Sequence, residues 1–384
     1  MLALTGISAL NALGSGRSEI VAALREGRSG LAPASAPLPF ETAVGVVRTP
    51  LGELTGPLGP WDTRLARMLL HLVEQLEDPL RRARERWRPE RIGVFLGTST
   101  AGAATTESAY AEFIAHGALP AGYDYEKQHT FGATLAVVRS LTGASGPGWV
   151  VSTACTSSAK TVGAAARLID AGLIDAALVG GVDTLCAMTL RGFGSLGALA
   201  EGTCRPFSRE ATGINIGEGG ALALVERRGD PVCLIEGVGE SSDAYHVSAP
   251  HPEGVGARLA MERALPDGVD AQAVDHVNAH GTGTVHNDSM ESRAIREMLG
   301  PDVPVISTKR YTGHTLGGAG ATELAFATWM IDEGFIAPSL GAAPVNEDHG
   351  IHVVTRTRDV RLVRVLSNSF AFGGNNISLC LRAP

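Results

Sequence analysis

An α/β fold is predicted for this chain by three observations. Short apolar runs bounded by glycine and polar residues alternate with segments whose apolar residues recur at helical spacing. Glycine is abundant, with 48 among 384 residues, as a tightly turned chain requires. Hydrophobic residues make up 44% at a mean hydropathy of +0.11, which supplies a sizeable core without the composition of a disordered or coiled chain.

Taken in order, the segment MLALTGISALNALGSG (1–16) reads as a strand and loop. It has no basic residues ahead of its apolar run and is broken by Gly, Ser and Asn, so it does not fit a secretory signal, and a cytoplasmic protein is expected. RLARMLLHLVEQLEDPLRRARERW (64–87) is helical, its basic end a solvated face. RIGVFLG (91–97), WVVSTA (149–154), AALVGGV (176–182), ALALVE (221–226), DHVNAHG (275–281) and VPVIST (303–308) read as buried strands. KTVGAAARLIDAG (160–172), DSMESRAIREMLG (288–300) and ATELAFATWMIDEG (321–334) carry helical periodicity. No apolar run is long enough to span a bilayer, and there is no short-period repeat. Aromatic residues are only 5%, which argues against nucleic-acid stacking platforms. Cys155, Cys186, Cys204, Cys233 and Cys380 are widely spaced, odd in number and form no C-x-x-C pair; a disulfide framework and a zinc knuckle are both disfavoured, and a reducing compartment is expected.

Chemistry concentrates in four places. Cys155, in VSTACTSSAK, falls at a strand-to-helix corner, where the free N–H groups and dipole of a helix start favour a thiolate over a thiol. The alternative is a small buried hydrophobe. His280 opens the turn HGTGT, which lets a ligand approach the backbone beside the hydroxyls of Thr282 and Thr284; together with Cys155 it suggests a weak two-fold theme, a buried strand ending in a loaded turn in each half. His276 and His280 stand four apart, but without a helical H-E-x-x-H pattern or a third ligand they do not make a metal site. Lys309, His314 and Glu323 surround glycines in STKRYTGHTLGGAGATE, and Phe370 and Phe372 flank the turn of SNSFAFGGNN. Gly192–Gly197 matches G-x-G-x-x-G, but it lacks the preceding strand and following helix of a dinucleotide site.

With these elements together, the chain resembles the β-ketoacyl-acyl carrier protein synthases, condensing enzymes of the thiolase-like superfamily. The likeness runs from LTGISALNALG through TACTSSA, CRPFSREATGINIGEGGALALVE, NAHGTGT, STKRYTGHTLGGAGATE and GFIAPSL to SNSFAFGGNN, and is nearer the two-histidine elongating type than the priming type. The resemblance implies two pseudo-duplicated halves, 1–230 carrying the cysteine and 231–384 the histidines, in one double-lobed α-β-α-β-α unit. It implies Cys155 as the acylated nucleophile and His280 and His314 as donors to an enolate. The amides of Cys155 and Phe372 match the oxyanion hole, Lys309 with Glu323 would fix His314, and Asp288 would support the site from behind. Thr282 and Thr284 match the hold on a phosphopantetheine arm, Phe370 the gating ring, and Thr100 the position that limits the acyl pocket. Arg64 and Arg67 resemble a basic helix that docks the acidic carrier protein. No metal or cofactor is implied beyond the carrier's own arm; a homodimer, or a heterodimer with a related synthase-like subunit, is. The departures TACTSSA, FAFGGNN and HND leave the substrate open between fatty-acid, polyketide and aryl polyene elongation. A thiolase would want a second cysteine near the C-terminus, and Cys380 in ISLCLRAP reads as core. A non-catalytic chain-length partner would lack Cys155.

Overall fold

In the computed structural model, which describes residues 1–35 and 38–384, eleven strands follow one another in a single mixed sheet. They are β1 (Leu2–Asn11), β2 (Ile92–Gly97), β3 (Gly148–Val151), β4 (Ala176–Asp183), β5 (Gly219–Glu226), β6 (Cys233–Ser242), β7 (His276–Asn278), β8 (Pro304–Ile306), β9 (His352–Val353), β10 (Arg364–Phe370) and β11 (Asn375–Arg382). The spatial order is β9-β8-β7-β10-β11-β6-β1-β5-β4-β2-β3, with Gly14–Ser15 paired beside β1. The helices that matter are α1 (Arg64–Glu74), α2 (Phe131–Thr142), α3 (Ser157–Asp170), α4 (Ala187–Ser195), α5 (Val255–Ala264), α6 (Val285–Leu299) and α7 (Ala319–Glu333). Among the described residues, no helix is long and apolar enough to cross a membrane.

The sheet repeats itself. β2 runs parallel to β3 and β4, β4 antiparallel to β5, and β5 antiparallel to β1. β7 runs parallel to β8 and β10, β10 antiparallel to β11, and β11 antiparallel to β6. Chain order and spatial order thus agree between the halves, which meet where Leu2, Ala3 and Leu4 pair with Ile235, Leu234 and Cys233. This is the expected pseudo-duplicated, thiolase-like architecture. It also corrects the two-fold theme: the corner after β3, with Cys155, corresponds to the turn after β8, with Lys309 and His314. The His280 turn after β7 corresponds to the turn after β2.

Between the half-sheets lie α3 and α7; all but the last two residues of α7 are buried, whereas α3 keeps Lys160, Arg167 and Asp170 on its unburied side. Close approach is set by small residues: a Cβ on Gly320 would lie 2.7 Å from Ala159 Cβ, and Ser158 Oγ accepts from the Ala321 amide at 2.9 Å. Both helix starts therefore sit together. The outer layers are α1 and α2 over one half and α5 and α6 over the other, each burying its own apolar cluster.

On α1, Leu65, Met68, Leu69 and Leu72 are buried and the Thr63 hydroxyl accepts from the Ala66 amide. Its exposed side does not form the expected basic patch. Arg64 donates to both oxygens of Glu218 and, at 2.9 Å, to the Val47 carbonyl. Glu218 is buried and also accepts from the Val47 amide, so it needs that cation. Arg67 is paired with Asp62 and Glu53. Neither arginine is a free cation for an acidic carrier. Arg64→Ala should lower stability to chemical denaturation by about 1–3 kcal/mol, because it strands a buried carboxylate beside a half-exposed guanidinium's place. Arg67→Ala should stay within about 0.5 kcal/mol. Equal losses would contradict this division.

Candidate active site

The cysteine corner is built by local hydrogen bonds. β3 ends at Val151; Thr153 donates its amide to Ser157 Oγ at 2.9 Å, and Ser157 Oγ donates to the Ala154 carbonyl at 2.6 Å. Ala154 is held at φ 51°, a strained left-handed conformation for a residue with a Cβ. That bend turns Cys155 into a cavity of about 540 Å³ rather than back along the strand. Burial pushes the Cys155 thiol up to about 12, although the nearby Lys309 charge pulls it down. The expectation of a resting thiolate is thus corrected: desolvation of the anion outweighs what the helix start offers.

His280 follows β7, and its turn is gripped from both sides. The amides of His280 and Gly281 donate to the two oxygens of buried Glu291 at 2.8 and 2.7 Å, and Asn368 Nδ2 donates to the same carboxylate at 3.2 Å. Lys309 Nζ donates to the His280 carbonyl at 2.8 Å and forms a buried ion pair with Glu323. Asp288 accepts from the Gly283 amide at 3.1 Å and the Phe207 amide at 2.8 Å, which holds the glycine turn to the 205–207 segment; burial pushes its carboxyl up to about 7. His314 is placed by its backbone, its amide on the Asn215 carbonyl at 2.7 Å and its carbonyl on the Gly217 amide at 3.0 Å.

The two imidazoles meet edge to face, with ring centroids 5.3 Å apart. One atom from each of Cys155, His280 and His314 lies within 4.8 Å of the others. Burial, with Lys309 close by, drives both imidazoles well below the ordinary histidine range, so they are neutral. Among the described residues, Nδ1 of His280 and both ring nitrogens of His314 are buried without a hydrogen-bond partner. Buried polar atoms of this kind normally have partners, and here they face a cavity. His276 stands apart from this group, its Nδ1 on the Pro304 carbonyl.

Other expected residues fall differently. Thr282 and Thr284 line the cavity and share a 2.9 Å hydroxyl contact. Glu323 does not hold His314; with Lys309 it anchors the backbone of His280, because the lysine reaches that carbonyl and no ring nitrogen of His314. Thr100 does not line the cavity: its hydroxyl donates to Asp183 at 2.6 Å, and the same carboxylate gathers the amides of Ser99, Thr100 and Gly318. Phe370, the expected gate, and Phe372 both line the cavity; Phe370 is buried with its ring 6.3 Å from His280, whereas Phe372 is 39% exposed and 5.8 Å from Phe193. The more exposed of the two rings is Phe372. The segment Gly192–Ser195 lies within α4, which disposes of the dinucleotide reading. All five cysteines are free, and Cys380 is fully buried in β11.

Glu291 and Asn368 were missed. A signal for Glu291 existed: with Asp288 it puts two acids three apart at the start of α6, on the face that looks back at the His280 turn. Asn368, alternating within a buried strand, offers no such signal.

A buried thiol beside two neutral imidazoles should be alkylated by iodoacetamide at a rate that climbs steadily from pH 6 to pH 9. A plateau reached below pH 7 would show a resting thiolate and contradict the burial argument.

The comparisons with known proteins agree with this geometry. Residues 62–230 match the family model for the beta-ketoacyl synthase N-terminal domain and residues 232–343 that for the C-terminal domain. "Nodulation protein E" of Rhizobium sp. (strain N33) is 32% identical, over 99% of this chain and 98% of that protein. A "3-oxoacyl-[acyl-carrier-protein] synthase 2" of Staphylococcus aureus is 32% identical over 76% of this chain and 77% of its own length. Among solved structures, a chain of the complex of the ketosynthase ApeO with its chain length factor ApeC, from Xenorhabdus doucetiae, superposes with a TM-score of 0.94 at 35% identity, covering 100% of this chain and 98% of that one. With Cys155, His280 and His314 converging in one cavity of a duplicated α/β fold, the chain belongs to the β-ketoacyl synthase family.

Proposed function

We propose that this protein is a condensing acyltransferase that joins an acyl thioester to a malonyl thioester, both borne by an acyl carrier protein. The observation that carries the reading is the convergence of a thiol and two neutral imidazoles, whose ring nitrogens lack partners, at one buried point.

In the first half-reaction Cys155 Sγ attacks the acyl carbonyl, its proton leaving to a neighbouring base. The oxyanion that forms is met by the amides of Cys155 and Phe372, neither of which donates to another described residue. The carrier thiolate then departs and takes up a proton, leaving the acyl group on Cys155. In the second, the bond between the malonyl α-carbon and its carboxylate breaks, carbon dioxide leaves, and the electron pair forms an enolate. Neutral imidazoles at His280 and His314 donate N–H groups to that enolate oxygen, a role suited to rings that burial keeps uncharged. The carbanion attacks the acyl carbon, the bond to Sγ breaks, and the Cys155 thiolate recovers its proton. The scheme balances without a cofactor.

Thr282 and Thr284 are placed along the cavity to hold the phosphopantetheine arm, and the exposed ring of Phe372, rather than Phe370, is the gate in this reading. Carrier docking falls to a surface other than Arg64 and Arg67, which are already paired. The likeness to chains of ketosynthase–chain length factor complexes supports a heterodimer with a related subunit over a homodimer. A purely structural, non-catalytic role is opposed by Cys155, His280 and His314 all being present and in reach of one another.

Intact-protein mass spectrometry with a panel of acyl-carrier thioesters should show one acyl adduct, lost in Cys155→Ala. His280→Ala and His314→Ala should each slow malonyl decarboxylation by about 10²–10³-fold while acylation changes by less than about tenfold. Equal losses in the two steps would remove the histidines from the enolate role.

A further inference from the structure

The turn that carries Phe372 is a hairpin closed by the pairing of Phe370 with Asn376. Inside it Ala371 donates its amide to the Asn375 carbonyl at 2.8 Å and Gly374 to the Ala371 carbonyl at 3.1 Å; Gly373 and Gly374 take φ values of 78° and 72°. Two successive left-handed glycines give the turn a conformation that residues with a Cβ rarely adopt. It is held from outside. On one side the Gly373 amide donates to the Val247 carbonyl, the Asp243 amide to the Gly374 carbonyl, and Asn376 Nδ2 to Asp243 Oδ1, each at 2.8 Å.

On the other side, among the described residues, the polar side-chain link is that of Lys160 to Asn375. Lys160 Nζ donates to Asn375 Oδ1 at 3.0 Å and lies 3.6 Å from Glu240, with its side chain only 15% exposed. Lys160 stands in the first turn of α3, the helix whose start presents Cys155. Of the 32 lysine and arginine residues in the chain only three are lysine, at 127, 160 and 309. Position 160 sits where a compact ammonium fits between a carboxylate and an amide oxygen, a space that suits a point charge better than a guanidinium fork.

We propose that Lys160 is a positioning residue for the oxyanion site. By holding Asn375 it ties the Phe372 turn to the helix of Cys155, and so fixes the separation of the two amides that receive the oxyanion. The inference rests on the condensing reading above. Loss of the tether leaves Cys155 as reactive as before toward a reagent that develops no oxyanion, and slows only chemistry that passes through a tetrahedral intermediate.

The experiment measures two rates on the intact protein: acylation of Cys155 by an acyl-carrier thioester, and alkylation of Cys155 by iodoacetamide, a direct displacement. Lys160→Met and Asn375→Ala should each slow acylation by about 10- to 100-fold while alkylation stays within about twofold. The double variant should be no slower than the worse single one, as for two ends of one link. Acylation within threefold of wild type in both single variants would overturn the proposal, as would parallel losses of acylation and alkylation, which would mark a general structural role. Additive losses in the double variant would also overturn it. Wild-type protein that is alkylated but acylated by none of the thioesters would overturn the condensing reading and this proposal with it, whereas a normal wild type with normal variants overturns this proposal alone.

Discussion

The site depends on one buried cation. Lys309 is buried among Glu323, the His280 carbonyl, Cys155 and the two imidazoles. Such a charge is tolerated because Glu323 balances it, and the pair is held by its further hydrogen bond to backbone. Its field then acts on every reacting group. It favours the Cys155 thiolate once the proton has gone, and it opposes a second positive charge on His280 or His314. The imidazoles are kept neutral, the state that the proposed enolate role requires.

The duplicated fold explains how these groups reach one point. Parallel strands in each half deliver their ends to the same edge of the sheet, the usual place for chemistry in α/β proteins. The turn after β8 grips the turn after β7 directly, through Lys309 on the His280 carbonyl and Ser307 Oγ on the Gly281 carbonyl. The turn after β2 is drawn to the start of α7 by Asp183, which binds Thr100 and the Gly318 amide. The central pair, α3 and α7, brings the two halves into register through Ser158 and Gly320. Function is therefore spread over the whole chain, although the reacting atoms occupy only a few ångströms.

The strand–helix alternation and the loaded turns at Cys155, His280 and His314 were legible in the sequence, because each motif carries its own glycines and its own reactive side chain. What was not legible depends on partners far away in the chain. Arg64 reads as a surface charge until Glu218 is found beneath it, and Thr100 as a pocket wall until Asp183 is found to hold its hydroxyl. Phe370 and Phe372 are indistinguishable as letters; the first closes a strand buried along almost its whole length, and the glycine turn exposes the second. The charge state of Cys155 could not be read from its corner either, because the helix start is a local feature and desolvation is a property of the packed interior.

The central claim, that burial beside a charged lysine keeps the two imidazoles of the site neutral, is tested most directly by nuclear magnetic resonance of histidines labelled with ¹⁵N. Signals assigned by His280→Ala and His314→Ala should stay in the neutral form from pH 8 down to pH 5. Titration of either imidazole near 6.5 in the wild-type protein would contradict the account.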